Sequence, residues 1–218
     1  SVQHAIRQYQ NDRDPREPLF AFARCLVHFA VDEQEVRFCT HLIGKESEFL
    51  PFNLGTASGG AGNPPNADGI ATAYLWEQIL TPSSFTDILE NYAQVVEKPN
   101  PRTGRKTYKQ IFPRYHQLDV VRSLLADVAA HGAGRCYLAQ HSAGSGKSNS
   151  IAWLSHQVAD VIHNGQRVFD SVIVVTDRRN LDEQLRCNIL AFMQVGATVG
   201  AVTGRGSSKT EQLKQFLA

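Results

Sequence analysis

The residues with the most chemical potential are Ala143, Gly144, Ser145, Gly146, Lys147 and Ser148, in the stretch Gln140-His141-Ser142-Ala143-Gly144-Ser145-Gly146-Lys147-Ser148. Small residues let successive backbone N–H groups curl round a polyphosphate. A lysine at the fifth of these positions suits the β and γ phosphates, and the following serine hydroxyl suits Mg²⁺. The strict pattern G-x-x-x-x-G-K-[ST] is broken at its first position, which is His141. An apolar run over residues 136–139 precedes the stretch, and Ile151, Leu154, Val158 and Ile162 follow at helical spacing. Strand, glycine-rich turn and helix is the layout of a phosphate-binding loop, with the helix N-terminus adding its positive dipole end. The bland alternative, a flexible Gly/Ser turn with a chance lysine, leaves that flanking pattern unexplained. Residues 143–148 are therefore expected to bind a nucleotide, with Ser148 taking the Mg²⁺ that accompanies it.

The elements that must position this loop come from the surrounding pattern. Leu118, Val121, Leu124, Leu125 and Val128 predict a helix before it. At the start of that helix, Gln117 offers the donor–acceptor pair that matches the N6 and N7 edge of adenine. After the loop's helix, Val172-Ile173-Val174-Val175 fits a strand buried on both faces. Asp177 ends that run, but Arg178-Arg179 follows where a partner glutamate would complete a metal-organising pair. Asn180-x-x-Glu183 and Ser208-x-x-Glu211 predict capped helices, and residues 197–203 a third strand unit. Alternating β and α segments imply a parallel sheet with flanking helices.

The N-terminal third is different. Residues 2–9 predict a short helix that Asp14-Pro15 and Glu17-Pro18 interrupt. Residues 24–31, 36–42 and 49–52 read as a small antiparallel β region, with Asp32-Glu33-Gln34 as a hairpin turn. His28 and His41 on these strands read as ordinary hydrogen-bonded residues rather than metal ligands. A nuclease of the PD-(D/E)xK type needs an Asp and an E-x-K to hold Mg²⁺ at the scissile phosphate. No E-x-K occurs, and the nearest imitation is Glu35-Val36-Arg37. No nuclease catalytic residue is assigned.

Residues 55–69, with Gly59-Gly60, Gly62 and Pro64-Pro65, predict a loop. Residues 71–80 predict a short helix ended by Thr81-Pro82. Ser84-x-x-Asp87 predicts a cap for a second one carrying Phe85, Ile88, Leu89, Tyr92, Ala93 and Val96. From residue 98 to 114 come six basic residues and no acidic one, interleaved with Tyr108, Phe112 and Tyr115. That composition suits a nucleic-acid backbone with stacking rings and equally suits a solvated connecting linker.

With 218 residues, 42% hydrophobic and 20% charged, the chain is of ordinary globular composition. A net charge of +1 exerts no global pull on nucleic acid, so any basic surface must be local. Cys25, Cys39, Cys136 and Cys187 show no C-x-x-C spacing, which predicts buried free thiols in a reducing cytoplasm and no zinc site. No signal-peptide layout or membrane-spanning run is present. The chain opens on Ser1 inside a helical pattern, as a piece of a longer protein would.

The stretch Ala143 to Ser148 resembles motif I of superfamily-two helicase and translocase motors, Arg114 to Gln117 their adenine-reading Q motif, and Thr176 to Leu181 their motif Ia. Three further segments, Arg24-Cys25-Leu26-Val27-His28-Phe29-Ala30-Val31-Asp32, Gly60-Ala61-Gly62-Asn63-Pro64-Pro65-Asn66 and Thr72-Ala73-Tyr74-Leu75-Trp76-Glu77, resemble the restriction (R) subunit of type I restriction–modification systems. The resemblance spans nearly the whole chain. It implies an α/β fold: a partial RecA-like P-loop domain preceded by a small antiparallel region from a truncated PD-(D/E)xK nuclease domain and a helical connector. The implied divisions are residues 1–57, the end of the nuclease domain; 58–112, loop, helical connector and basic linker; and 113–218, the first motor lobe. ATP and Mg²⁺ would be held by Gln117 and residues 143–148, with Arg114 and Tyr115 supporting the adenine side. Thr176, Arg178 and Arg179 would hold DNA. The implied partners are double-stranded DNA and the modification and specificity subunits, with no membrane. A nuclease Q-x-x-x-Y helix is not matched at Tyr9, where the glutamine position is Ala5. No D-E-x-H-type motif II follows, so the expectation for this chain alone is weak nucleotide binding, no ATP hydrolysis and no DNA cleavage.

Overall fold

The computed structural model describes residues 1–67, 69–99, 104–177, 179–192, 199–202 and 208–217. The chain divides into two compact units, Ser1–Asp119 and Val120–Ala218.

In the first unit, α1 (Val2–Arg7) runs into a wider π turn over Gln8–Asp12 and stops ahead of Asp14-Pro15. The predicted hairpin forms from β1 (His28–Val31) and β2 (Val36–Cys39), with Phe29 opposite Phe38. β3 (Leu50–Pro51) pairs with the other edge of β2, so the sheet order is β1-β2-β3, all antiparallel. Asp32 makes the turn. Its Oδ1 accepts the Gln34 and Glu35 N–H groups at 2.9 and 2.8 Å, and its Oδ2 accepts the Val2 N–H at 2.7 Å. Burial pushes this carboxyl up, but the three hydrogen bonds to its charged form outweigh burial and hold it below its ordinary value. Val2, Ile6 and Ala30 pack together, fastening α1 to β1. Phe38, Phe52 and Phe112 form an aromatic core, with ring centroids 5.5 to 6.0 Å apart.

Residues 55–67 have no regular structure, as predicted, yet the loop is stapled shut. Gly55 donates to the Gly62 carbonyl at 2.8 Å, and both glycines hold positive φ. Asn63 accepts the Leu54 N–H at 2.8 Å through Oδ1 and donates through Nδ2 to Gln34 O at 2.8 Å and Asn53 Oδ1 at 3.0 Å. Asn53 Oδ1 also accepts the Val36 N–H.

Beyond this loop the structure departs from the sequence pattern. The helix expected over residues 71–80 is a π segment, Leu75–Ile79. Pro82 does not end a helix but starts one: α2 (Pro82–Asn91) has Thr81 as N-cap and begins two residues ahead of Ser84. Its stripe ends before Val96, which lies in β4 (Gln94–Pro99) paired antiparallel with β5 (Lys106–Ile111). The supposed basic linker is therefore a β-hairpin. A ladder satisfies backbone groups that an extended linker would leave to water.

The unit boundary falls within α3 (Tyr115–His131). The second unit continues with α4 (Lys147–Gln157), β6 (Ile162–His163), β7 (Gln166–Arg167), α5 (Arg179–Ala191) and α6 (Lys209–Leu217). The helix expected to reach Ile162 stops at Gln157 and gives way to a 3₁₀ turn. Ile162 instead enters a tight hairpin through Asn164 and Gly165, at φ 50° and 78°. Asn-Gly is the preferred pair for such a turn, because both positions must be left-handed. Ser208 caps α6 as predicted, its Oγ accepting the Glu211 N–H at 3.2 Å. Of the expected third strand unit, 197–203, the described residues 199–202 form no strand, and the rest lie outside the described residues.

The predicted parallel sheet is not formed among the described residues. Residues 136–140 and 171–176 carry no ladder, and the second unit's only described sheet is β6-β7, antiparallel. Leu138 is 91% exposed and Val175 86%. A strand buried on both faces needs neighbours at both edges and helices above and below. No described segment pairs with either run, so their apolar side chains stay in water. The thiols follow suit: all four are free, but only Cys39 is buried, Cys25 is intermediate, and Cys136 and Cys187 are exposed.

Candidate phosphate-binding loop

The loop expected from the sequence is present as a turn feeding directly into a helix. Gly146 is the N-cap of α4 at φ 83°, and Gly144 stands at φ 73°. A Cβ at Gly144 would meet nothing within 4 Å, so glycine is favoured there by backbone conformation rather than by space. Lys147 is the first residue of α4 and is exposed. Its Nζ donates to the carbonyls of His141 and Ser142 at 3.1 and 2.8 Å, folding the ammonium back over the loop. His141 breaks the strict pattern by side chain only; its carbonyl is one of the lysine's two acceptors. Ala143 and Gly144 are exposed, Ser145 is buried, and Ser148 is half-buried on the first turn of the helix.

Two supports hold the loop. Behind it, α4 packs on α5: Trp153 meets Phe192 edge on at 5.4 Å, His156 Nε2 lies 2.9 Å from Ile189 O, and Asn188 donates to Asn149 Oδ1 at 3.3 Å. Ahead of it, the run that forms no strand is moored by side chains. Asp127 on α3 accepts from the Tyr137 hydroxyl at 2.6 Å and from Arg135 Nη1 at 2.9 Å. The Tyr137 hydrogen bond, more than the Arg135 charge, holds the Asp127 carboxyl below its usual range and raises the Tyr137 phenol. This mooring was not foreseen, since Asp127 lies on the polar side of a helical stripe and points to Tyr137 only once the chain has turned back.

The adenine-side residues have structural duties in the first unit. Gln117 is buried at the third position of α3, and its Oε1 accepts the Arg114 N–H at 2.9 Å. Arg114 O in turn accepts the first N–H groups of the helix. This is the reciprocal half of a capping box. Tyr115 packs edge-on against Phe52 and Tyr74 at 5.9 and 5.5 Å. Thr176 is half-buried at the end of the unpaired run, Arg178 lies outside the described residues, and Arg179 opens α5.

His28 and His41 sit in aromatic packing, against Tyr9 and Phe22 respectively. Burial lowers the His28 pKa, which disfavours its charged form. Among the described residues no group of three or more His, Cys, Asp or Glu is gathered as a metal site. Nor is any helix long and apolar enough to cross a membrane.

A glycine turn feeding Lys147 and Ser148 onto the N-terminus of α4 is the candidate phosphate-binding site, and comparison adds a likeness. Residues 116–217 match the family model described as SWI2/SNF2 ATPase. No curated protein and no solved structure matches the chain. Residues 116–217 are thus similar to a SWI2/SNF2 ATPase segment.

Proposed function

We propose that this chain serves an ATP-driven DNA translocase, and specifically the R subunit of a type I restriction–modification enzyme. The observation that carries the motor reading is Lys147 and Ser148 at the head of α4, behind a turn with two left-handed glycines, within the stretch similar to SWI2/SNF2 ATPases. The donor set fits a nucleoside triphosphate with Mg²⁺. Lys147 would take the phosphates and Ser148 the metal, while bound ATP supplies a phosphoryl group whose transfer drives movement. Lys147 leaves its two carbonyl acceptors to do so, exchanging neutral partners for an anion, which makes the stronger, charge-assisted hydrogen bond. The restriction reading rests on the resemblance of the N-terminal and connector segments to that family. Its nuclease step would use an Asp and an E-x-K that this chain lacks, so the chain's own contribution is to nucleotide and DNA binding.

The test is Mg²⁺-dependent binding of a fluorescent ATP analogue to the chain and to Lys147→Ala. Binding lost in the variant, with an unchanged circular dichroism spectrum, supports the site. Equal binding by the two overturns it. The second reading, a superfamily-two remodeller outside restriction, is favoured by the SWI2/SNF2 match. In the full-length protein, association with modification and specificity subunits, together with ATP-dependent cutting of unmethylated duplex only, decides for the restriction enzyme. Duplex-stimulated ATP turnover by the full-length protein without either decides for the remodeller, and a DNA-independent rate argues against both.

A further inference from the structure

The hairpin β4–β5 is the feature that the nucleotide site leaves unexplained. Its base is anchored in the first unit: Gln110 and Ile111 are buried, and Gln110 Nε2 donates to the carbonyls of Cys25 and Leu26. Its outer half is bare. Every described residue from 104 to 109 is exposed, so both faces of that half of β5 meet solvent. On β4, Val96 is buried opposite Lys109, so the exposure belongs to the β5 side chains of that half. Residues 98–109 hold five basic side chains and no acidic one. Glu97 is the hairpin's one carboxylate among the described residues. It is opposite Tyr108 in register, with Lys106 Nζ at 3.0 Å and the Tyr108 hydroxyl at 3.5 Å. Among the described side chains, Arg105, Lys106 and Lys109 stand against the one acid, Glu97, which leaves this stretch positive on a chain whose net charge is only +1. Tyr108, 58% exposed, adds an aromatic surface on the same outer half.

We propose that β4–β5 is a DNA-docking ribbon whose outer half, through Arg105, Lys106 and Lys109, engages the phosphates flanking the major groove of duplex DNA. The groove admits a two-stranded β-ribbon, and the hairpin's charge complements the backbone that lines it. Glu97 orients Lys106 and Tyr108 on one face, while Lys109, opposite Val96, serves the other. The proposal deepens the translocase reading and rests on its DNA partner, naming the part of the chain that grips it.

The experiment is fluorescence anisotropy of the chain with a labelled duplex of arbitrary sequence over a salt series. The wild type is compared with Arg105→Gln/Lys106→Gln/Lys109→Gln and with a control, Arg24→Gln/Lys45→Gln, both of whose sites are exposed and outside the hairpin. Each lost phosphate contact lowers the slope of log K against log salt by about 1, so the triple variant should lose about 3 from it. The control should lose none. A triple variant that binds like the control overturns the ribbon while leaving the DNA reading intact. A wild type with no affinity for duplex at low salt overturns the ribbon and the DNA partner together, and Lys147-dependent ATP binding then still stands or falls by itself. Tighter binding to single strands that depends on Tyr108 would replace the groove assignment with a stacking one and overturn the duplex proposal. Gln110→Ala releases the base without altering charge, and weaker duplex binding with an unchanged slope is the expected result.

Discussion

Val36-Arg37-Phe38-Cys39 and Val172-Ile173-Val174-Val175 are both short β-forming runs, and the second is the more apolar. The first, β2, lies between two antiparallel neighbours and is buried almost throughout, with Val36 0% and Phe38 2% exposed. The second has no described partner strand, and its last valine is 86% exposed. Composition favours the wrong one. What separates them is the presence of a strand at each edge, because apolar side chains can leave water only where the backbone groups between them are also satisfied. β2 obtains its neighbours locally, through a turn at Asp32 and a short return at Leu50. Parallel strands need crossover connections and close only when several units assemble. The antiparallel sheet therefore stands on contacts within a few dozen residues, whereas the phosphate loop is held by one helix packed on another and by the Asp127 mooring.

That contrast can be broken or sharpened by substitution. The largest effect is expected at Phe52, fully buried among Phe29, Phe38, Phe112 and Tyr115. Phe52→Ala should destabilise the first unit by about 3–5 kcal/mol in urea denaturation. A loss under 1 kcal/mol would mean that the aromatic core is not what holds the sheet. Next comes Asn63→Ala, which removes one acceptor and two donated hydrogen bonds and leaves the Leu54 N–H to find another partner; about 1–3 kcal/mol should be lost. Gln117→Ala should cost about 1 kcal/mol through the lost cap. Gln117→Glu keeps an acceptor for the Arg114 N–H but puts a carboxylate at a buried position, so it should also lower the melting temperature. If Gln117 also reads adenine, both variants will lose ATP binding at temperatures where they remain folded.

The Asp32 carboxyl sits below its ordinary value of 3.8 in the folded state. It therefore contributes stability that is fully present above that value and is lost as pH falls through its depressed folded pKa. Asp32→Asn should be less stable than wild type at neutral pH, with the gap closing as acid protonates the wild-type carboxyl. A gap constant from pH 7 to pH 2 would contradict the turn's hydrogen bonding. The smallest effect is expected at Val175→Ser, within about 0.5 kcal/mol, as befits an exposed residue. A loss of 2 kcal/mol there would show that the run is packed in solution after all.

Much of the chain was legible where a short-range rule had no competitor. The Asp32 turn, the Pro15 break, the Ser208 cap and the glycine loop before Lys147 each depend on residues close in sequence. Misreadings arose where two local signals conflicted. Thr81-Pro82 reads as a stop, although proline at the first helical position is also a start. Val96 fitted a helical stripe and a strand equally, and the partner that decided it, Lys109, is reached only across the hairpin. Asn164-Gly165 carried a clear turn signal that the continuing apolar spacing of Ile162 masked.

The sequence by itself determined a glycine turn with Lys147 and Ser148 at the head of a helix, because left-handed glycines end a turn and open the helix whatever surrounds them. It also determined the antiparallel hairpin and the basic character of residues 98–109. Tertiary structure alone decided that Gln117 caps α3, that Asp127 moors Tyr137, that the basic stretch is a ribbon anchored at Gln110, and that the most apolar runs meet no partner strand among the described residues. These depend on which groups meet after the chain has folded back, and periodicity in one segment carries no record of the partner that another segment will present.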